Sequence, residues 1–515
     1  LAGAFGLAWR RYWVDALASL ALFVLAAIAA GRIWRFPVAD EVATIVPLIP
    51  SAFRSSTWAL ARFYLQGGDI HPPTIFLFFS TLYALGIGEA ALHLCSLAMT
   101  AAALALWQLL TLAMIGRHDE GAVRPTTRLV SVLLFGLTPL AIGQGDAIRW
   151  YAQFALAVAL FATLYLAAKA RAARLASAIP LGVAASINLI APLVVIPLAI
   201  HRYLLERAWQ PSFDAAYWAI FALFASPGLY SAVFIAKQQF DWLRHYQFGA
   251  SPLVAGAADI LGFFGGNAIG VGHAWVLLPV IVLAACAIVS LIDRRERANP
   301  IHLCLLLLGA MVPAALAGFW ESRSFLYLAP VQILVLTVFI DRILQRDFGL
   351  RAILVTACAI LASIVAIGDL ASGTHPFKRT AAVPYRDVIE FVERNDRGDS
   401  LVVSFDPVAS WELAAQGTAS QRCIRDIPGR EPACFAERQH AESIFVIGAP
   451  SGPYQSAYWR RESGEPVFAA RLAKIIGART KVGELQVGHD EDAALKTWLT
   501  GVPLDEFILA VDLYR

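Results

Sequence analysis

The stretch 92–115, LHLCSLAMTAAALALWQLLTLAMI, runs for twenty-four residues without an Asp, Glu, Lys or Arg. As a helix it rises about 36 Å, enough to cross a bilayer hydrocarbon core of about 30 Å. Similar apolar runs lie at 14–30, 128–144, 153–169, 213–235, 274–292, 301–320, 324–341 and 350–368. The stretch 176–200 reads either as one span or as a tight pair of shorter ones broken near Asn188 and Pro192. Over all 515 residues, 58% are hydrophobic and 15% charged. A soluble domain carries about 25% charged residues, so this chain has too few charges to cover a soluble surface. The expected class is a polytopic α-helical membrane protein.

Charge placement sets the orientation. Arg10 and Arg11 precede the first run, which is long for a signal peptide and is read as a retained first span. Further basic clusters lie at Arg117, Lys169 to Arg174, His201 to Arg207, Arg294 to Arg297 and Arg342 to Arg346. All of them fall on the cytoplasmic side only if 176–200 crosses and returns, which gives about eleven crossings. The N-terminus is then inside and the C-terminus outside. The outer pieces are 31–91, 145–152, 236–273, 321–323 and 369–515.

The chain therefore divides into a transmembrane module, 1–370, and a small extracytoplasmic α/β domain, 371–515. The second part is richer in charge, Gly and Pro. Tyr385 to Arg394 reads as a helix, and Leu401 to Phe405, Ser443 to Ile447 and Phe507 to Val511 as strands. Cys423 and Cys434 both lie in it and are expected to pair in an oxidising compartment. No Cys or His spacing points to a metal site. No basic run or finger motif points to a nucleic-acid partner.

Polar residues collect in the outer pieces. Asp40 and Glu41 follow the first span, and Asp69, His71, Pro72 and Pro73 come later in the same loop, 31–91. Between them, 42–66 has the character of a helix lying in the interface. The segment 74–86 is apolar but too short to span, so it is expected to dip into the interface and stay outside. Arg149, Trp150 and Tyr151 end the second outer piece, and Arg323 lies in the short turn 321–323. Taken singly, each has a plainer role: an acidic end to a span, a helix cap at Asp69 before Pro, an aromatic anchor at Trp150 and Tyr151. Taken together, they bring carboxylates and cations to one membrane face. A carboxylate can act as general base toward a hydroxyl, and arginine can grip a phosphate. That combination suits transfer from a phosphate-bearing lipid to a hydroxyl.

At these residues the chain resembles the membrane-embedded GT-C glycosyltransferases, in particular the protein O-mannosyltransferases and the lipid A aminoarabinose transferases. The resemblance covers about residues 1–370. It rests on Asp40-Glu41 after the first span, Asp69-x-His71-Pro72-Pro73, Arg149-x-Tyr151 opening a span, and Arg323 with Tyr327 and Pro330 opening another. It implies a polyprenyl-phosphate-linked sugar donor at the outer face of a bacterial inner membrane or its lumenal equivalent, and names no further cofactor. Asp40, beside Glu41, takes the place of the general base, and Asp69 that of the second acid. Arg323 or Arg149, helped by His71 and near Tyr151, would hold the donor phosphate. The chain departs from the family at Thr74, Ile75 and Phe76, where the mannosyltransferases carry a Lys after the Pro-Pro pair. It departs again at His71, where the aminoarabinose transferases carry Lys. The soluble part lacks the repeat domains of the mannosyltransferases, which favours a lipid, lipopolysaccharide or other glycan acceptor.

Two other classes compete. A transporter or lipid flippase would place ionisable groups and broken helices at mid-bilayer, and Asn188 with Pro192 is the only hint of that. A membrane scaffold or sensor would keep its business beyond Ser372.

Overall fold

The computed structural model describes residues 2–29, 72–118, 123–167, 170–245, 300–316, 322–344, 385–404, 422–424, 441–448, 473–474, 476–489 and 507–515. These fall into two compact units, one helical and one, from Tyr385 onward, built on a sheet.

The helical unit contains α1 Ala2–Ala29, α2 Pro73–Ala84, α3 Glu89–His118, α4 Pro125–Gly136, α5 Pro139–Gln144 and α6 Trp150–Ala167. It continues with α7 Arg171–Ala176, α8 Ala178–Ile187, α9 Pro192–Ala199, a π-helical turn Ile200–Leu205 and α10 Pro211–His245. Then follow α11 Pro300–Leu316, a 3-10 turn Ser322–Leu328 and α12 Ala329–Leu344. Pro73, Pro125, Pro139, Pro192, Pro211 and Pro300 each open a helix, where the missing N–H costs nothing and the fixed φ is already helical.

Among the described residues, five helical segments are long and apolar enough to cross a membrane: Trp9–Ala29, Ala90–Gly116, Pro125–Gln144, Trp150–Ala167 and Pro211–Val233. They coincide with five of the expected runs. Pro192–Leu205, Ile301–Pro313 and Phe325–Asp341 are shorter apolar helices. The expected spans 274–292 and 350–368 lie outside the described residues. The run read as 324–341 starts as a 3-10 turn, because Pro330 in the first turn of α12 disfavours α geometry just before it.

α1 and α3 run antiparallel: Tyr12 and Ala16 near the start of α1 pack with Leu109, Leu112, Ala113 and Ile115 near the end of α3. The start of α4 joins the same end. There Arg128 grips the Asp15 carboxylate through Nε and Nη2 at 2.8 and 3.0 Å, and Thr127 donates to Asp341 at 2.7 Å. The buried faces are dominated by Ala, Leu, Val and Phe. Among the polar side chains inside, Gln108 donates to Ser131, and Thr111 and Thr337 donate to carbonyls one turn back. This is the use polar groups find between membrane helices.

The ambiguous stretch 176–200 is a hairpin of two short helices. Ser177 at its start lies 3.4 Å from the Tyr217 hydroxyl, and Glu206 past its end lies 3.4 Å from that of Tyr165, so the chain enters and leaves at one end. α8 has ten residues, about 15 Å, half of a hydrocarbon core. Asn188, the hint of a transporter, accepts from the Ile190 N–H at 2.9 Å and shapes the turn at the tip. α8 and α10 lie close because Gly228 has no side chain; a Cβ there would stand 2.0 Å from the Ala185 carbonyl oxygen. Helix α2, expected in the interface, buries Ile75, Phe76 and Phe79 and packs on α3, α8 and α10.

In the second unit a helix, α13 Tyr385–Asn395, packs on a five-stranded sheet. The strands are β1 Ser400–Ser404, β2 Arg422–Ile424, β3 Ser443–Gly448, β4 Lys481–His489 and β5 Phe507–Tyr514, in the order β2-β1-β3-β5-β4. β1 is parallel to β2 and β3, while β5 is antiparallel to β3 and β4. Val388, Ile389 and Val392, on one face of α13, meet Val402, Phe445, Ile447, Val511 and Leu513. β2 and β4 carry too many polar residues for alternation to mark them in the sequence.

Candidate functional site

The second outer piece has a defined course. Thr100 Oγ1 donates to the Gly145 carbonyl at 2.9 Å. Only glycine fits at 145, where a Cβ would stand 2.3 Å from the Ala141 oxygen and 2.8 Å from Thr100. His93 Nδ1 lies 2.9 Å from the Asp146 carbonyl oxygen. A carbonyl only accepts, so Nδ1 carries the proton and donates. The Asp146 carboxylate approaches the same nitrogen at 3.7 Å, and both side chains are buried. The loop before α6 is thus fastened to the first four turns of α3.

α6 then opens on an aromatic run. Trp150 meets Tyr151 and Phe154, with ring centroids at 4.6 and 5.7 Å. Phe154 in turn meets Tyr327 edge to face, 5.0 Å between centroids. Tyr327 belongs to the 3-10 turn that carries Arg323 and leads into α12. The fold therefore packs α6, which Arg149 precedes and Tyr151 helps to open, against the turn bearing Arg323. Arg149 is half-buried, and Tyr151 and Tyr327 are buried. The Tyr327 hydroxyl has no hydrogen-bond partner among the described residues.

This cluster sits at the end of α3 and α6 opposite the basic residues. At that other end lie Asp15, Arg128, Arg171 and Arg202. α6 is eighteen residues long, about 27 Å, so the two clusters are separated by nearly a hydrocarbon thickness.

Of the other expected site residues, Asp40, Glu41, Asp69 and His71 lie outside the described residues. So does Cys434, the expected partner of Cys423. Among the described residues, no group of three or more His, Cys, Asp or Glu side chains is placed to hold a metal ion.

No family model matches the chain, and no curated protein matches it by sequence. Among solved structures it is similar to ArnT from Cupriavidus metallidurans in the apo state, with a TM-score of 0.50, 12% identity, and 97% of each chain covered. ArnT from the same organism bound to undecaprenyl phosphate matches at 0.48 and 12%, covering 95% of this chain and 97% of that one. The oligosaccharyltransferase of Archaeoglobus fulgidus, in complex with zinc and sulfate, matches at 0.39 and 13%, covering 82% of this chain and 67% of that one. At such identity the likeness is one of fold alone: the chain shares a fold with apo ArnT, and its described residues include five helices long and apolar enough to cross a membrane.

Proposed function

We propose that this protein is a glycosyltransferase that moves a sugar from a polyprenyl-phosphate carrier to a hydroxyl of a lipid, lipopolysaccharide or other glycan. The reaction takes place at the outer face of a bacterial inner membrane, with 1–370 as the catalytic module and 371–515 as an extracytoplasmic domain. The observation that carries this is the packing of the turn holding Arg323 against the start of α6, through Tyr327 and Phe154, at the end opposite the basic residues. The order of the acidic and basic motifs along the chain and the likeness in fold to ArnT support the same class.

In the proposed step, Asp40 takes the proton of the acceptor hydroxyl. The freed oxygen attacks the anomeric carbon from the face opposite the phosphate. The bond from that carbon to the phosphate oxygen breaks, and polyprenyl phosphate leaves with the electron pair, inverting the configuration. The transition state has oxocarbenium character, so carboxylates at Glu41 and Asp69 favour it. Arg149, Arg323 and His71 neutralise the departing phosphate, with Tyr151 beside them. The buried Tyr327 hydroxyl is a further donor for that phosphate.

The deciding experiment measures release of polyprenyl phosphate by the purified, lipid-reconstituted chain from a panel of polyprenyl-phosphate sugars, with Asp40→Asn alongside. Loss of a general base costs about 10²–10⁴-fold. The expected result is release with one donor, falling by that factor in a variant that inserts normally. Normal turnover by Asp40→Asn overturns the base assignment. Flux of a lipid-linked sugar across the membrane, with no release from any donor, moves the protein to the transporter class.

A further inference from the structure

The basic end of the helical unit holds a second polar cluster that the transfer reaction leaves unused. Arg202 and Asp214 are each 4% exposed and pair through Nε and Nη2 to Oδ1, both at 2.7 Å. The Phe213 ring lies 4.8 Å from the Arg202 guanidinium and 5.5 Å from that of Arg171, and Arg171 Nη2 also donates to Ser212 at 3.3 Å. The connection 206–210 is pinned to this base. Glu206 accepts from Tyr165 at 3.4 Å, Ala208 N–H donates to the Arg202 carbonyl at 3.0 Å, and Gln210 N–H donates to Asp214 at 2.8 Å.

Arg171 and Arg207 stand exposed over this buried base. Arg207 is held at φ 53°, in the left-handed region, within the pinned connection. Asp214 offsets Arg202, and the single charge of Glu206 does not balance Arg171 and Arg207, so the surface is left with excess positive charge. Beside the arginines, Trp209 is 68% exposed with its ring 5.4 Å from Tyr203. Tyr203 in turn accepts from Trp218 Nε1 at 2.7 Å. Trp and Tyr in this setting mark the headgroup level of a bilayer. On the helical segment that leads into Arg207, Leu204 and Ile196 are 68% and 56% exposed, apolar side chains available to lipid tails.

We propose that this surface binds one anionic phospholipid of the leaflet on the basic side. Arg171 and Arg207 hold its phosphate, and its acyl chains lie along Leu204 and Ile196. A soluble anion would use the arginines and leave the apolar side chains idle, which is why a lipid is the occupant the surface fits. The proposal is independent of the transfer reaction.

The test titrates the full chain in detergent with phosphatidylglycerol or phosphatidylcholine and counts bound lipids by native mass spectrometry. Each arginine near a membrane surface contributes roughly fivefold in affinity for an anionic lipid. Arg171→Gln with Arg207→Gln is expected to weaken the first phosphatidylglycerol roughly 25-fold, with phosphatidylcholine unaffected. Arg171→Lys with Arg207→Lys keeps the charge and is expected to retain most of the preference. Undiminished phosphatidylglycerol binding by the Gln pair overturns the proposal. So does displacement of the lipid by millimolar inorganic phosphate, and so does equal loss in the Lys pair.

Discussion

The Tyr327 ring stands against Phe154 with planes at 73° and centroids 5.0 Å apart, while its hydroxyl is buried without a partner among the described residues. An unmade buried O–H costs about 1–3 kcal/mol, so it persists where a ligand uses it. Tyr327→Phe keeps the ring and removes that cost. Its unfolding midpoint is expected to stay level or rise. Donor turnover is expected to fall roughly 10- to 100-fold, the worth of a hydrogen bond to a charged group. Unfolding and turnover measured on the same variant separate the two roles, and unchanged turnover assigns Tyr327 to packing alone.

The single-face arrangement is open to cysteine labelling. Asp69→Cys, Arg149→Cys and Arg323→Cys are expected to react with an impermeant maleimide added from outside. Arg171→Cys is expected to react only after the membrane is opened. An inner-side label at 69, 149 or 323 breaks the single-site reading.

The α8–α10 contact depends on Gly228. A Cβ there would stand 2.0 Å from the Ala185 oxygen and 2.9 Å from the Ser186 Cα. Backbone atoms cannot yield as a flexible side chain can, so Gly228→Ala is expected to cost about 1–3 kcal/mol or more. Gly309→Ala is the control, because nothing lies within 4 Å of its Cβ position. Thermal unfolding of the two variants side by side checks this, and equal midpoints would refute the close approach.

In the sheet unit, Lys481 Nζ lies 2.8 Å from both Glu484 and Asp512. Hydrogen bonds to those carboxylates raise the Lys481 pKa, and the bond from Lys481 lowers that of Glu484. For Glu484 the stabilisation is complete above its unfolded value and is lost as pH falls through the lower folded one. For Lys481 it is complete below its unfolded value and is lost as pH rises through the higher folded one. Stability from this triad is therefore expected to be flat from about pH 5 to about pH 10. Because the side chains are exposed, the effect is small and fades in 1 M salt. The comparison is Lys481→Met against the unchanged chain in denaturant unfolding across that range.

The membrane class and most helix positions were legible in the sequence, because an apolar run long enough to span a bilayer is a local property, as is a proline that opens a helix. Charge placement asked that 176–200 cross and return; the Ser177–Tyr217 and Tyr165–Glu206 contacts bring its two ends together, while α8 is only about half a hydrocarbon thickness long. The sequence also proposed Asp40, Glu41, Asp69 and His71 through an ordered motif alone. What only the tertiary structure decided are meetings between distant residues. His93 fastens Asp146 across 53 positions, Phe154 receives Tyr327, and Arg202 pairs with Asp214 beneath a basic surface. Such contacts depend on how helices pack face to face, and a helix that is apolar all round leaves no stripe in its sequence to say which neighbour it meets.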